Sequence, residues 1–109
     1  ITSSNGFFVQ NCLQATSSWH GTHVTGTVIG QGYQNGGSNM SGGAYGGEVV
    51  PIRALGKCGG YMSDIDNAIL WAVNDYPGIT NYHPAQVISM SLGGQSSSGS
   101  DEQAAINIA

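Results

Sequence analysis

The sequence predicts an α/β fold, a parallel sheet flanked by helices, and a partial domain of that kind. Three observations carry the prediction. From Asp64 to Tyr76, the residues Ile65, Ala68, Ile69, Ala72, Val73 and Tyr76 recur at the three-and-four spacing of one helical face. Before that segment, "EVVPIRAL" (48–55) is a short, mostly apolar run of strand length, and after it "QVISMSL" (86–92) is another. Strand, helix and strand in that order form a right-handed crossover, which makes the two strands parallel. The opening on Ile1 and the stop at "INIA", inside the first turns of an expected helix, read as an internal fragment.

Taken in order, residues 1–16 carry no clear period and are expected to be loop, with one short strand at "GFFVQ" (6–10). The stretch "SSWHGTHVTGTVIG" (17–30) is expected to hold a helix with His20 in its first turn, at the positive end of the dipole, a setting that suits a neutral base. Gly21, Thr22, Thr25, Gly26 and Thr27 would let that helix lie close to a sheet. Val24 and Val28 place His23 near a buried face, so it is expected to be a packed core residue. The run 30–47, with its many glycines, is expected to be a long surface loop. In the first strand Pro51 sits poorly, because it has no N–H for a ladder. For the helix at 64–76, Ser63 and Asp66 offer an acidic variant of the capping box, and Pro77 with Gly78 supplies the stop. A last helix is expected near Ser100, with Gln103 completing "S-x-x-Q" and Ala104, Ala105 and Ile108 opening an apolar face. "GKCGGY" and "GGQSSSGS", which follow the two strands, fall at one sheet edge, the edge where open parallel sheets bind ligands.

Composition excludes several function classes. With two cationic side chains and a formal net charge of -4, the chain cannot neutralise a phosphate backbone, so nucleic acid is not its partner. Its apolar runs fall far short of the roughly 20 residues of a membrane span. Cys12 and Cys58 can form one bridge at most and cannot complete a four-ligand zinc site by themselves. His20 and His23 are three apart with Gly and Thr between them, whereas the zinc-protease signature needs a four-residue spacing and a Glu; no metal site is assigned. His83, beside Pro84, has no anionic ligand placed near it. Gly56-Lys57 lacks the upstream glycine of a phosphate loop, and Cys58 stands where Ser or Thr is required.

Three ordered motifs, "HGTHVTGTV", "VVPIRALGKCGGYMSDIDNAILWAV" and "VISMSLGG", together resemble the subtilisin-like serine proteases, most closely their secreted bacterial branch. The resemblance runs from about Ser17 to Ala109 and departs at Thr25, where the usual motif has Ala. It implies a fragment of a subtilisin-like peptidase catalytic domain over residues 1–109. His20 matches the general base, which takes the proton of the nucleophilic serine and returns it to the leaving amine; His23 matches a non-catalytic position. Gly59 and Gly60 match one substrate-binding edge and Ser91, Leu92 and Gly93 the other, with glycine there leaving room for an incoming backbone. Met62, Ile65 and Leu92 fall where the family builds an apolar pocket for a substrate side chain.

The same resemblance implies polypeptide substrates, a secreted, extracellular location, no membrane partner and a monomeric intact enzyme. No cofactor is implied within the span, and the 30–47 loop does not carry over calcium ligands. A secreted chain rarely leaves two thiols unpaired, so a Cys12–Cys58 disulfide is expected, holding the His20 helix and the Gly59–Gly60 edge in fixed relation. No Asp occurs between Ile1 and Trp19 to match the orienting carboxylate, and neither the "Gly-Thr-Ser-Met-Ala" nucleophile motif nor the oxyanion Asn has a match. The span alone is therefore expected to be inactive. A rival reading is a non-catalytic peptide-binding relative, and a reading frame with Asp upstream and "Gly-Thr-Ser" downstream separates the two.

Overall fold

The computed structural model describes residues 2–3, 6–9, 11–12, 16–32, 40–94 and 100–109. Gln10, residues 33–39 of the expected loop and residues 95–99 lie outside the described residues. Six elements follow in order: β1 (Thr2–Ser3), β2 (Gly6–Phe8), α1 (His20–Ile29), β3 (Gly59–Tyr61), α2 (Met62–Ala72) and α3 (Ser100–Ile108). The chain divides into two compact units, one of Ile1–Thr16 with Ile52–Ala109 and the other of Ser17–Pro51.

In the first unit the three strands form an antiparallel sheet in the order β1-β2-β3. Phe7 lies opposite Gly60 and Phe8 opposite Gly59, which sets the rings of Phe8 and Tyr61 diagonally across the pair, edge to face at 5.2 Å. The Cys12–Cys58 disulfide, with Cα atoms 5.1 Å apart, ties the chain beyond β2 to the tight turn before β3. Both cysteines belong to this unit, and the expected Cys12–Cys58 bridge fastens the turn before β3 to the chain that follows β2.

Helix α2 forms where the periodicity placed one, and its buried residues Ile65, Ile69 and Ala72 follow the predicted face. Ile65 and Ile69 meet Ala105 of α3, and Ala54, Leu55, Met62, Leu70, Ile88 and Leu92 pack around them. Both ends of α2 depart from the expectation. It starts at Met62 with Tyr61 as N-cap and no side-chain cap bond, so the Ser63–Asp66 capping box does not form. It ends at Ala72, before Pro77, because Asn74 turns left-handed (φ 64) and closes a Schellman motif: Asn74 N–H donates to Trp71 O at 3.0 Å and Asp75 N–H to Leu70 O at 2.8 Å. Asn81, buried, completes the stop. Its Nδ2 donates to Trp71 O and Ala72 O, both at 3.1 Å; its N–H donates to Asn74 Oδ1 and its Oδ1 accepts from His83 N–H.

The predicted parallel sheet is not formed within the described residues. Neither 48–55 nor 86–92 enters a ladder, and Val49, Val50, Ile52 and Val87 are exposed. A parallel strand needs a partner strand to bond to and cover on both faces of its sheet. Pro51 interrupts the first run at the boundary between the units, and among the described residues no strand pairs with either run. What survives of the crossover is its packing, since Ala54, Leu55, Ile88 and Leu92 rest on the α2–α3 cluster.

Asp66 extends from α2 toward the first turn of α3. Its Oδ1 is buried and has no hydrogen-bond partner among the described residues. Burial, reinforced by Glu102 and then Asp101, raises its carboxyl above the ordinary Asp range. Between the ordinary and the raised value the native chain keeps a proton that the unfolded chain has released, so unfolding free energy falls as pH rises through that window. Asp66→Asn should therefore stabilise the full-length protein above the window and lose that advantage below it. Urea midpoints of both proteins across acidic pH check this; a wild-type midpoint that climbs relative to the variant through that range would contradict it.

Candidate active site

The second unit carries the general-base candidate. α1 is rich in Gly and Thr, poor helix formers, yet two of its threonines bond back into the helix: Thr25 Oγ1 donates to Gly21 O at 2.7 Å and Thr27 Oγ1 to His23 O at 3.3 Å. Its far end is held by the returning chain, where Gly42 N–H donates to Gly30 O at 2.7 Å and Ala44 N–H to Val28 O at 2.7 Å. A Cβ on Gly42 would stand 2.5 Å from Val28 O, so only glycine allows that approach. The exposed loop end thus supplies donors to carbonyls that the last helical turn leaves open.

His20 is the first residue of α1, with its ring exposed and, among the described residues, no hydrogen-bond partner for its side chain. His23 is exposed as well, which corrects the expectation of a packed core residue. Val24 and Val28 reach only partial burial, and α1 buries no residue fully, because a unit of about 35 residues is too small to enclose a core. The N-cap of α1 is Trp19, left-handed at φ 53 and ψ 25, with no side-chain cap bond.

The binding-edge candidates all lie in the first unit. β3 is the outer strand of its sheet, which suits strand addition by a peptide. Gly59 has φ 109 and exchanges backbone bonds with Gly56 at 2.8 and 3.2 Å around the Lys57-Cys58 turn. Gly60 is buried, and a Cβ there would come within 2.9 Å of both Ala54 O and Leu55 Cδ2. The glycines are thus demanded first by the chain's own turn and packing, a reason that spacing alone did not reveal. Ser91 and Gly93 are exposed on irregular chain. Met62, Ile65 and Leu92 are brought together: Ile65 is 2% exposed within the core cluster, and Met62 and Leu92 are half-buried against that cluster. A shallow groove of about 310 Å³ between α2 and residues 52–54, lined in part by Asp64, Asn67 and Trp71, contains none of the predicted site residues.

Comparison with known proteins gives consistent matches. The model of the subtilase family matches residues 5–109. An extracellular protease of Xanthomonas campestris pv. campestris is 53% identical over 97 residues, covering 85% of this chain and 16% of that protein. An extracellular basic protease of Dichelobacter nodosus is 49% identical over 80 residues, covering 72% of this chain and 13% of its own length. Bacillopeptidase F of Bacillus subtilis is 37% identical over 86 residues, 76% of this chain and 6% of that protein. No solved structure matches the chain.

Proposed function

The chain belongs to the subtilase family, and from that premise we propose that it is part of a secreted, extracellular serine endopeptidase acting on polypeptides. The observation that carries the reading is His20, exposed at the head of a short helix, in a chain that matches the family from residue 5 to residue 109. The names of the two most similar relatives described above, both extracellular proteases, support the location and the reaction class. In the intact protein the sheet is the α/β parallel sheet that the family implies, and residues 48–55 and 86–92 are its strands.

The chemistry follows from the base. His20 takes the proton from a serine hydroxyl as the oxygen attacks the scissile carbonyl, and gives it to the amine as the C–N bond breaks, leaving an acyl-enzyme. Water, activated by the same imidazole, then releases the acid product. The serine, its oxyanion donors and the orienting carboxylate come from outside this span, so the 109 residues alone should hydrolyse no peptide faster than buffer. A fluorophosphonate probe tests the whole reading: the full-length protein should be labelled covalently on one serine, and an unlabelled, folded protein would leave only a peptide-binding relative.

Substrate preference is proposed to come from the floor that Ile65 makes and the walls that Met62 and Leu92 make beside it, with Gly59, Gly60, Ser91 and Gly93 pairing along the peptide backbone. Enclosing a bulky apolar side chain is worth about 1.5–3 kcal/mol, enough for roughly a tenfold or greater preference. Leu92→Ala should flatten that preference when kcat/KM is compared over peptides varied a few residues before the cut. An unchanged profile would place the pocket elsewhere.

A further inference from the structure

Among the described residues, three other than glycine have a left-handed backbone: Asn11, Trp19 and Asn74. Asparagine tolerates that region because its short amide can hydrogen-bond nearby backbone, and Asn74 at the end of α2 accepts the Asn81 N–H. Trp19 has no such compensation. It also occupies the N-cap of α1, where Ser, Thr, Asp or Asn would satisfy an open N–H, although Ser17 and Ser18 stand immediately before it. Local energetics therefore disfavour tryptophan twice at this position. Its indole is 73% exposed, a large apolar surface directly beside His20. The Trp19 carbonyl accepts the His23 N–H at 3.0 Å, so the residue is fixed to the first turn that carries the base.

We propose that Trp19 is a specificity-determining contact of the peptidase reaction, its indole receiving an apolar substrate side chain within two residues of the scissile bond. The inference rests on the reading of His20 as general base. A base must come within hydrogen-bond reach of the reacting serine and the leaving nitrogen. A side chain rooted on the adjacent Cα, about 3.8 Å away, then borders whatever peptide crosses His20. No acidic residue stands in the first turn of α1 to recruit a cation, so the surface offered is apolar and aromatic.

The test uses the full-length protease and peptides carrying Gly, Ala, Leu or Phe at each of the two positions on either side of the cut. Trp19→Ala should lower kcat/KM for Leu and Phe at one of these positions by about tenfold or more while Gly peptides stay within about twofold. Trp19→Phe should retain most of the preference. Trp19→Asn, which suits both the left-handed backbone and the cap, should fold at least as well and still lose the preference, which separates substrate contact from stability. An equal loss for all peptides, an unchanged profile, or a preference that survives in Trp19→Asn would overturn the inference. Fluorophosphonate labelling of the same proteins tells the two failures apart: no label on the wild type overturns the enzyme reading, whereas a labelled wild type with unaltered variants overturns only the role of Trp19.

Discussion

His20→Ala in the full-length protease is expected to lower kcat on the order of a millionfold, the scale that loss of the triad histidine has in subtilisin, while KM changes by less than about threefold. Without the imidazole the serine has no acceptor for its proton and the leaving amine has no donor. On the proposed reading the peptide still pairs with the Gly59–Gly60 and Ser91–Gly93 edges, so binding is expected to be spared. The structure makes this substitution unusually clean. His20 is exposed at the first position of α1 and its ring has no hydrogen-bond partner among the described residues, so within this span truncation orphans no group. Alanine is also the better helix former. Steady-state kinetics beside a thermal melt would check the expectation: the melting midpoint should hardly move while turnover collapses. A kcat within tenfold of wild type would remove His20 from the mechanism.

The second large effect concerns the Cys12–Cys58 bridge. It closes a loop with a sequence separation of 46, for which the chain-entropy estimate is about 4 kcal/mol, an upper figure because strain and residual unfolded structure reduce it. Against a typical domain stability of about 5–15 kcal/mol this is a large share. The double variant Cys12→Ser, Cys58→Ser should therefore unfold at markedly lower urea, and its kcat/KM should fall through KM, since the loosened part includes β3, the strand proposed to pair with substrate. Peptide mapping of the unreduced, active enzyme should recover the two cysteines in one linked pair. Separate, alkylatable peptides, or a double variant as stable as the wild type, would contradict the expectation.

Legibility in the sequence followed the range of the forces involved. α2, α3 and the short strand at Gly6–Phe8 were readable because period, propensity and terminal residues act within a few positions. The end of α2 was not: Asn81 reaches back ten residues to Trp71 O, a bond that no local window contains, and Asn74 gives little sign of its left-handed turn before that partner is known. β1 has only two residues and no period to detect. The parallel strands were read from apolar runs, yet a ladder depends on neighbours that the described residues do not supply. His23 failed for a related reason, since Val24 and Val28 mark a face that its own unit does not bury. Of the candidate site, the place of His20 in the first turn of a helix was legible. The close packing of Gly60 against Ala54 and Leu55 needed coordinates.

The Asn81 clasp bears on how long such a protein survives in its own company. A protease digests a segment only after the segment has let go of its fold and stretched into a strand, so susceptibility follows the free energy of local opening. The bend from Pro77 to Ala85 offers exposed Tyr82 and His83 to any neighbouring enzyme, yet its backbone is moored by the buried Asn81 amide and by the Ala85 N–H bonded to Ala72 O at 2.8 Å. Amide exchange at Asn81, His83 and Ala85 should accordingly be slower than at the neighbouring exposed positions, and autolysis should start elsewhere. Cleavage first at Tyr82, seen by N-terminal sequencing of early fragments, would show that the mooring is too weak to matter. On the proposed reading, the buried Asn81 amide keeps this bend from being the first segment to yield to a neighbouring copy of the enzyme.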